Sequence, residues 1–135
     1  MKKILIDLNI ILDFLNKRNF HVEAAQVINM CVEKKISGYI CAHEVTTLSY
    51  FLLKDQKDKT KVINTITALL DIFNIIPIDE TILRDSLISP ISDYEDAVIE
   101  VSSMKLNIDY IISRNISDFK SSRIPTYTPE QFLIL

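Results

Sequence analysis

The sequence predicts an α/β domain in three layers, with a central, mostly parallel sheet of four to five strands between helices. Three observations carry this expectation. Short apolar runs recur at Ile4-Leu5-Ile6, Tyr39-Ile40-Cys41-Ala42, Ile75-Ile76-Pro77-Ile78 and Tyr110-Ile111-Ile112, without the alternation of a half-exposed strand. Between them lie longer segments with apolar residues at helical spacing. Strands that alternate with helices bury themselves as a parallel sheet covered on both faces. The element order read this way is β-α-α-β-α-α-β-α-α-β-β-α.

The first strand ends at Asp7, and Asn9 with Ile10-Ile11-Leu12 opens a helical turn. Asp7 has two readings of equal weight. It is a helix N-cap, with Asn9 as competitor, or it is a site acid, because open α/β sheets place their sites at the carboxyl ends of strands. Residues 22–35 carry Ala24, Ala25, Ile28, Cys31 and Val32 on one helical face, and Gly38 marks the turn into the second strand. Glu44 falls in the first turn of the next helix, where an acid also suits the helix dipole. His43 before it reads as a surface or capping residue. No second histidine stands at ligand spacing, which argues against zinc. Residues 54–61 form a mixed-charge loop with four lysines. The strongest helical stripe then runs from Val62 to Phe73.

Pro77 lacks a ladder donor and places the third strand at an edge. Asp79 caps a helix carrying Ile82, Leu83 and Leu87. Ser92 with Glu95 three residues on is a capping-box pattern, which gives Glu95 a structural task and leaves Asp93 as a first-turn acid. Asp96 has no capping role and lies at the inner edge of the stripe Ala97, Val98, Val101 and Met104. Glu100 is one turn further on the same side. Such inward acids are costly unless something positive meets them. After the fourth strand, Phe119 is expected to plug the core, and Asp118 to cap a short turn or bind a metal. Pro125-Thr126-Tyr127 reads as a last edge strand, and Thr128-Pro129-Glu130-Gln131 starts a final helix with a second capping box.

Composition narrows the function classes. The chain has 135 residues, which suits one domain over 1–135, and 48% of them are hydrophobic, enough for a core. A net charge of −3 supplies no global field for nucleic acid, so any such contact must be local. With one glycine, neither a dinucleotide-binding loop nor a Walker loop can be built. Cys31 and Cys41 stand in apolar surroundings and read as buried free thiols of a reducing compartment. The apolar run at the N-terminus is too short for a signal peptide, and nothing approaches a membrane span, so a cytoplasmic protein is expected.

Asp7, Glu44 and Asp118 each follow a buried strand, and Asp96 precedes one. With adjacent strands, all four can converge at one sheet edge. A pair of carboxylates at ~5 Å repels by roughly 3 kcal/mol at an effective dielectric near 20. Such a site protonates or binds a hard cation, and an all-oxygen set points to Mg²⁺ or Mn²⁺.

These residues carry a resemblance to the PIN-domain nucleases, in particular to the VapC-type toxins of toxin–antitoxin pairs. Asp7-Leu8-Asn9 resembles the opening D-x-N, with Leu8 where a small hydroxyl residue is common. Glu44 matches the acid after the second strand, and Glu95-Asp96-Ala97 the acid that stands before alanine on a helix. Ile112-Ser113-Arg114-Asn115-Ile116-Ser117-Asp118-Phe119 is similar to the closing T-R-N-x-x-D-F, with serine for threonine.

The resemblance implies a metal-dependent endoribonuclease, often a homodimer and often held by a cognate antitoxin protein. On this reading Asp7, Glu44, Asp96 and Asp118 bind Mg²⁺ or Mn²⁺, with Asn115 as the alternative to Asp118. Asn9, Ser113 and Asn115 support them by hydrogen bonds. Arg114 and the lysines of the 54–61 segment, Lys57 and Lys61 among them, hold RNA phosphates. Two other classes remain open. A receiver-like phospho-acceptor domain shares the fold type but wants an acidic pair at the first strand and a late lysine. A PIN-like module that only binds RNA or protein would not need the full acid set.

Overall fold

The computed structural model describes Met1–Leu135. Five strands form one sheet: Lys3–Ile6 (β1), Ser37–Cys41 (β2), Asn74–Ile76 (β3), Tyr110–Ile112 (β4) and Thr126–Tyr127 (β5). Their order across the sheet is β3-β2-β1-β4-β5 and every pairing is parallel. The expected element order is found, with one 3₁₀ turn added over Ile116–Phe119. The helices are Leu8–Leu15 (α1), His21–Val32 (α2), Ala42–Gln56 (α3), Lys59–Ile72 (α4), Glu80–Ser86 (α5), Tyr94–Lys105 (α6) and Pro129–Leu133 (α7).

Alternation along the strands sorts the core into two layers. Ile4, Ile6, Ile40 and Ile112 pack on one side with residues of α1, α2, α3 and α4. Leu5, Cys41, Ile76 and Ile111 pack on the other with Ala97 and Ile99 of α6 and with Phe119. Both cysteines are buried and free. Pro77 falls just after edge strand β3, where no ladder bond is lost. Asp79 caps α5 through Ile82 N–H, and Thr128 and Gln131 form the expected capping box of α7.

Three local expectations need correction. Gly38 is not a turn residue but lies inside β2, paired with Ile4. A Cβ there would stand 2.6 Å from Cys31 Sγ and 2.9 Å from the Phe73 ring, so α2 and the end of α4 close onto bare backbone. The charged stretch 54–61 is mostly helix. It is broken only at Lys57, which has a positive φ, and at Asp58, whose carboxylate caps α4 through Thr60 and Lys61 N–H. Finally, α6 is capped by Asp93, whose Oδ1 accepts from Asp96 N–H at 3.0 Å. Ser92 precedes the cap, and Glu95 is free of the structural task assigned to it.

Candidate metal centre

Strand register brings the site together. β1 and β4 pair Ile6 with Ile112, so the next residues, Asp7 and Ser113, leave the sheet side by side. Ser113 Oγ donates to Asp7 Oδ2 at 3.0 Å and accepts from Asn115 N–H at 3.2 Å. Asp7 occupies the N-cap position of α1 with an extended backbone, yet its side chain makes no capping bond. The two readings of Asp7 are thereby separated: its carboxylate is not used by the helix.

On the other flank of β1, strand β2 runs straight into α3 and delivers Glu44 in the first turn. Its Oε1 accepts from Leu8 N–H at 3.3 Å, and both Glu44 and Asp7 are buried. From the opposite layer, α6 presents Glu95 and Asp96 in its first turn. Here the anions also meet the positive end of the helix dipole. Asp96 is half-buried, while Glu95 and Asp118 are exposed. Asp118 sits in the 3₁₀ turn and borders a hollow of about 130 Å³ shared with Asp93 and Lys120.

Electrostatics shows that these acids crowd one another. Burial pushes the Glu44 carboxyl up to about 10, reinforced by the Asp7 charge and by Glu95. Burial likewise raises Asp7, against the Ser113 hydroxyl bond. Asp96 is pushed up to about 7, first by burial and then by Asp93, Asp7, Asp118 and Glu95. Asp7 is therefore within electrostatic reach of Glu44 and Asp96, and Asp96 of Asp118.

The other buried acids are treated differently. Glu100 is fully buried, but Arg123 donates to it from Nη2 and from its main-chain N–H, each at 2.7 Å, and Ser89 Oγ adds a third bond at 3.1 Å. Burial would raise the Glu100 carboxyl, yet the Arg123 bonds and charge with the Ser89 bond hold it below its ordinary value. Asp13 is paired with Arg114 at 2.6 Å and Arg18 at 3.8 Å. The remaining ion pairs go to Glu33, Glu80 and Asp85. None reaches Asp7, Glu44, Asp96 or Asp118. A buried carboxylate pair without a cationic side chain is the donor set that a divalent cation neutralises, so these residues fit such an ion.

Two residues of the site escaped the sequence reading. A nitrogen of His43 and carboxylate oxygens of Glu44 and Glu95 lie within 4.8 Å of one another. Both His43 ring nitrogens are withdrawn from solvent without a hydrogen-bond partner. Burial lowers the imidazole below its usual value, with the Glu95 charge and main chain opposing. His43 is thus neither a surface residue nor a cap. The signal for Glu95 was masked by its match to a capping box, and that for His43 by the absence of a second histidine.

The expected supporting and RNA-contacting residues are dispersed. Asn9 is half-buried in the first turn of α1. Asn115 is exposed, and its carbonyl accepts from Asp118 N–H at 3.1 Å. Arg114 gives Nη1 to Asp13. Lys57 caps the far end of α3 from Glu44, about 20 Å along the helix axis. Lys61, in the first turn of α4, is at that same far end.

The molecule is an all-parallel α/β domain with unpaired acids at the carboxyl edge of its sheet. The chain belongs to the PIN-domain family, which it matches over residues 3–117. That membership sets aside the receiver-like alternative. A comparison with curated proteins finds no match. Among solved structures, the chain is similar to one in a toxin–antitoxin complex from Klebsiella pneumoniae, with 25% identity, a TM-score of 0.68 and coverage of 93% of this chain and 96% of that one. It is also similar to FitAcB from Neisseria gonorrhoeae, with 19% identity, a TM-score of 0.72 and coverage of 94% and 98%. VapBC-1 from nontypeable Haemophilus influenzae gives 17% identity, a TM-score of 0.67 and the same 94% and 98% coverage. The latter two likenesses speak for the fold alone. No helix is long and apolar enough to cross a membrane.

Proposed function

We propose that this protein is a metal-dependent endoribonuclease, the toxin of a toxin–antitoxin pair, acting as one domain over residues 1–135 in the cytoplasm. One observation carries the reading: Asp7 and Glu44 are buried together without a cationic partner, while the buried Glu100 and Asp13 each have arginine. The pairing rule that the fold obeys elsewhere is suspended at the sheet edge.

When bound, Mg²⁺ or Mn²⁺ supplies Lewis acidity toward a phosphodiester and positive charge against its developing anion. The residues of this chain do the rest. Ser113 fixes the Asp7 carboxylate, and the Leu8 N–H fixes Glu44, so neither has to be ordered on binding. Asp96 comes from the facing layer, and Asp118 or Asn115 closes the rim. Asn9, in the first turn of α1, is the further candidate to support Asp7. The Arg114 N–H groups not given to Asp13 serve an RNA phosphate, and Lys57 and Lys61 serve a more distant stretch of the strand.

The toxin reading rests on the likeness to a chain in a toxin–antitoxin complex. A cognate antitoxin protein is the expected partner, and a homodimer the expected assembly. The test is cleavage of single-stranded RNA by purified protein with Mg²⁺ or Mn²⁺ and its loss in EDTA. Cleavage unaffected by chelation refutes the metal mechanism, and no cleavage with any divalent ion refutes the nuclease. A neighbouring gene for a small DNA-binding protein that blocks the cleavage separates toxin from processing enzyme. Sedimentation at micromolar concentration tests the dimer.

A further inference from the structure

We propose that His43 is a nitrogen ligand in this chain's metal centre, and that with Glu44 and Glu95 it makes a cation position selective for transition ions over Mg²⁺. The inference deepens the reading of the acidic cradle as a cation site and rests on it. Two independent observations support it. The first is geometric: the His43 nitrogen and one oxygen each from Glu44 and Glu95 lie within 4.8 Å of one another. A triangle of that side has its centre about 2.8 Å from each corner, against bonds of about 2.0–2.2 Å in a mixed imidazole–carboxylate site. Small side-chain rotations close the difference.

The second observation is that neither His43 ring nitrogen makes a well-formed hydrogen bond, and the main chain that approaches it is that of Glu95, a member of the same cluster. Both of its ring nitrogens are out of solvent and unpartnered, whereas every other buried side-chain nitrogen or oxygen except Ser103 Oγ has a hydrogen-bond partner. An imidazole with two unmet nitrogens is expensive to bury. A metal bond to one of them removes part of that cost. The only other histidine, His21, is on α2, and its Nδ1 lies 2.9 Å from the Arg18 carbonyl.

The chain's own elements produce the arrangement. His43 and Glu44 are adjacent in the first turn of α3, and Glu95 is in the first turn of α6. Because Asp93 rather than Ser92 caps α6, the Glu95 carboxylate is released toward them. A nitrogen and two oxygens suit Mn²⁺, Co²⁺ or Zn²⁺, whereas Mg²⁺ prefers an all-oxygen shell and keeps its waters.

The test is Co²⁺ and Zn²⁺ binding by the intact protein, measured by Co²⁺ absorption and by thermal shift, in wild type, His43→Gln and the control His21→Gln. The expected result for His43→Gln is a loss of Co²⁺ and Zn²⁺ affinity of at least about tenfold, the lower bound for removing even an outer partner of a metal site. Mg²⁺ affinity stays unchanged, and His21→Gln behaves as wild type. A His43→Gln protein with wild-type Co²⁺ affinity and spectrum overturns the proposal. Should that variant misfold, pulsed electron paramagnetic resonance of wild type loaded with Mn²⁺ decides: imidazole nitrogen coupling is expected, and its absence overturns the assignment. Nitrogen-ligated metal without RNA cleavage supports His43 while refuting the ribonuclease. Cleavage with Mg²⁺ but no nitrogen signal does the reverse.

Discussion

Ser113 Oγ lies 3.0 Å from Asp7 Oδ2, across 106 residues of sequence. The bond exists because β1 and β4 end on the same rung, and it is the structural tie that holds a buried, unpaired carboxylate in one rotamer.

Ser113→Ala removes that tie. Loss of a hydrogen bond to an ionisable group costs about 1.5–3 kcal/mol, or roughly 5–10 °C in a domain of this size. RNA cleavage falls about 10–100-fold, as for other losses of support behind a metal ligand. Ser113→Thr keeps the hydroxyl and most of both properties. Equal activity in the alanine and threonine variants would show that the bond does not position Asp7.

Asp96→Asn separates charge from shape. Without metal it relieves repulsion from Asp93, Asp7, Asp118 and Glu95, worth on the order of 1 kcal/mol once solvent and salt are allowed for. The variant therefore melts roughly 3–5 °C above wild type in EDTA, and it cleaves no RNA. Mg²⁺ at a hundred times its Kd stabilises wild type by about 2.7 kcal/mol, or roughly 8–12 °C, and barely moves the variant. Thermal melts with and without metal check both signs. A destabilised Asp96→Asn with a wild-type response to Mg²⁺ would falsify its role as ligand.

Between pH 5.5 and 8 the large upward shifts of the site acids set the sign, against a smaller opposing contribution from His43, whose imidazole is lowered by burial. Glu44 is raised by burial to about 10 and Asp96 to about 7, while their unfolded forms ionise in the ordinary carboxylate range. The folded state then binds more protons than the unfolded state between those limits. Its stability falls as pH rises. Metal-free protein is expected to melt lower at pH 8 than at pH 5.5, and excess Mn²⁺ flattens or reverses the trend. Glu100, lowered by Arg123, acts in the opposite sense, losing its contribution only as pH falls through the acid range. A metal-free Tm that climbs from pH 5.5 to 8 would contradict the unpaired burial of Glu44.

Arg123→Ala strands Glu100, which is 0% exposed. Breaking a buried pair by removing one partner costs about 3–5 kcal/mol. The low end applies because the Arg123 side chain is itself 49% exposed, which gives a fall of roughly 10 °C. A change within experimental error would mean that the main-chain N–H of Arg123 and Ser89 suffice.

Gly38→Ala tests packing away from the site. The new methyl group meets Cys31 Sγ and Phe73. Overpacking of this kind costs about 1–3 kcal/mol. Cys31→Ala in the same chain should recover part of it, since the two sites share a contact. Additive losses in a double-mutant cycle of thermal melts would exclude the clash as the cause.

Local pattern was enough to determine a good deal. The apolar runs at Ile4, Ile40, Ile75 and Tyr110 and the stripes between them specify the element order, because burial of a strand or helix face is written in residues close together. The positions of Asp7, Glu44, Asp96 and Asp118 after or before those runs predict their approach to one sheet edge, and the spacing of Thr128 and Gln131 marks a cap. Decisions between competing local options were made elsewhere. Ser92 and Asp93 both can cap α6, and it is the helix as packed on the sheet that uses Asp93 and releases Glu95. Gly38 reads as a turn until Cys31 and Phe73 close over it. Arg114 and Arg123 look like free cations until Asp13 and Glu100 claim them from 101 and 23 residues away. His43 differs from a surface histidine only in what surrounds it. Long-range neighbours set the desolvation of each polar group, and desolvation decides whether an acid is paired, protonated or left for a metal.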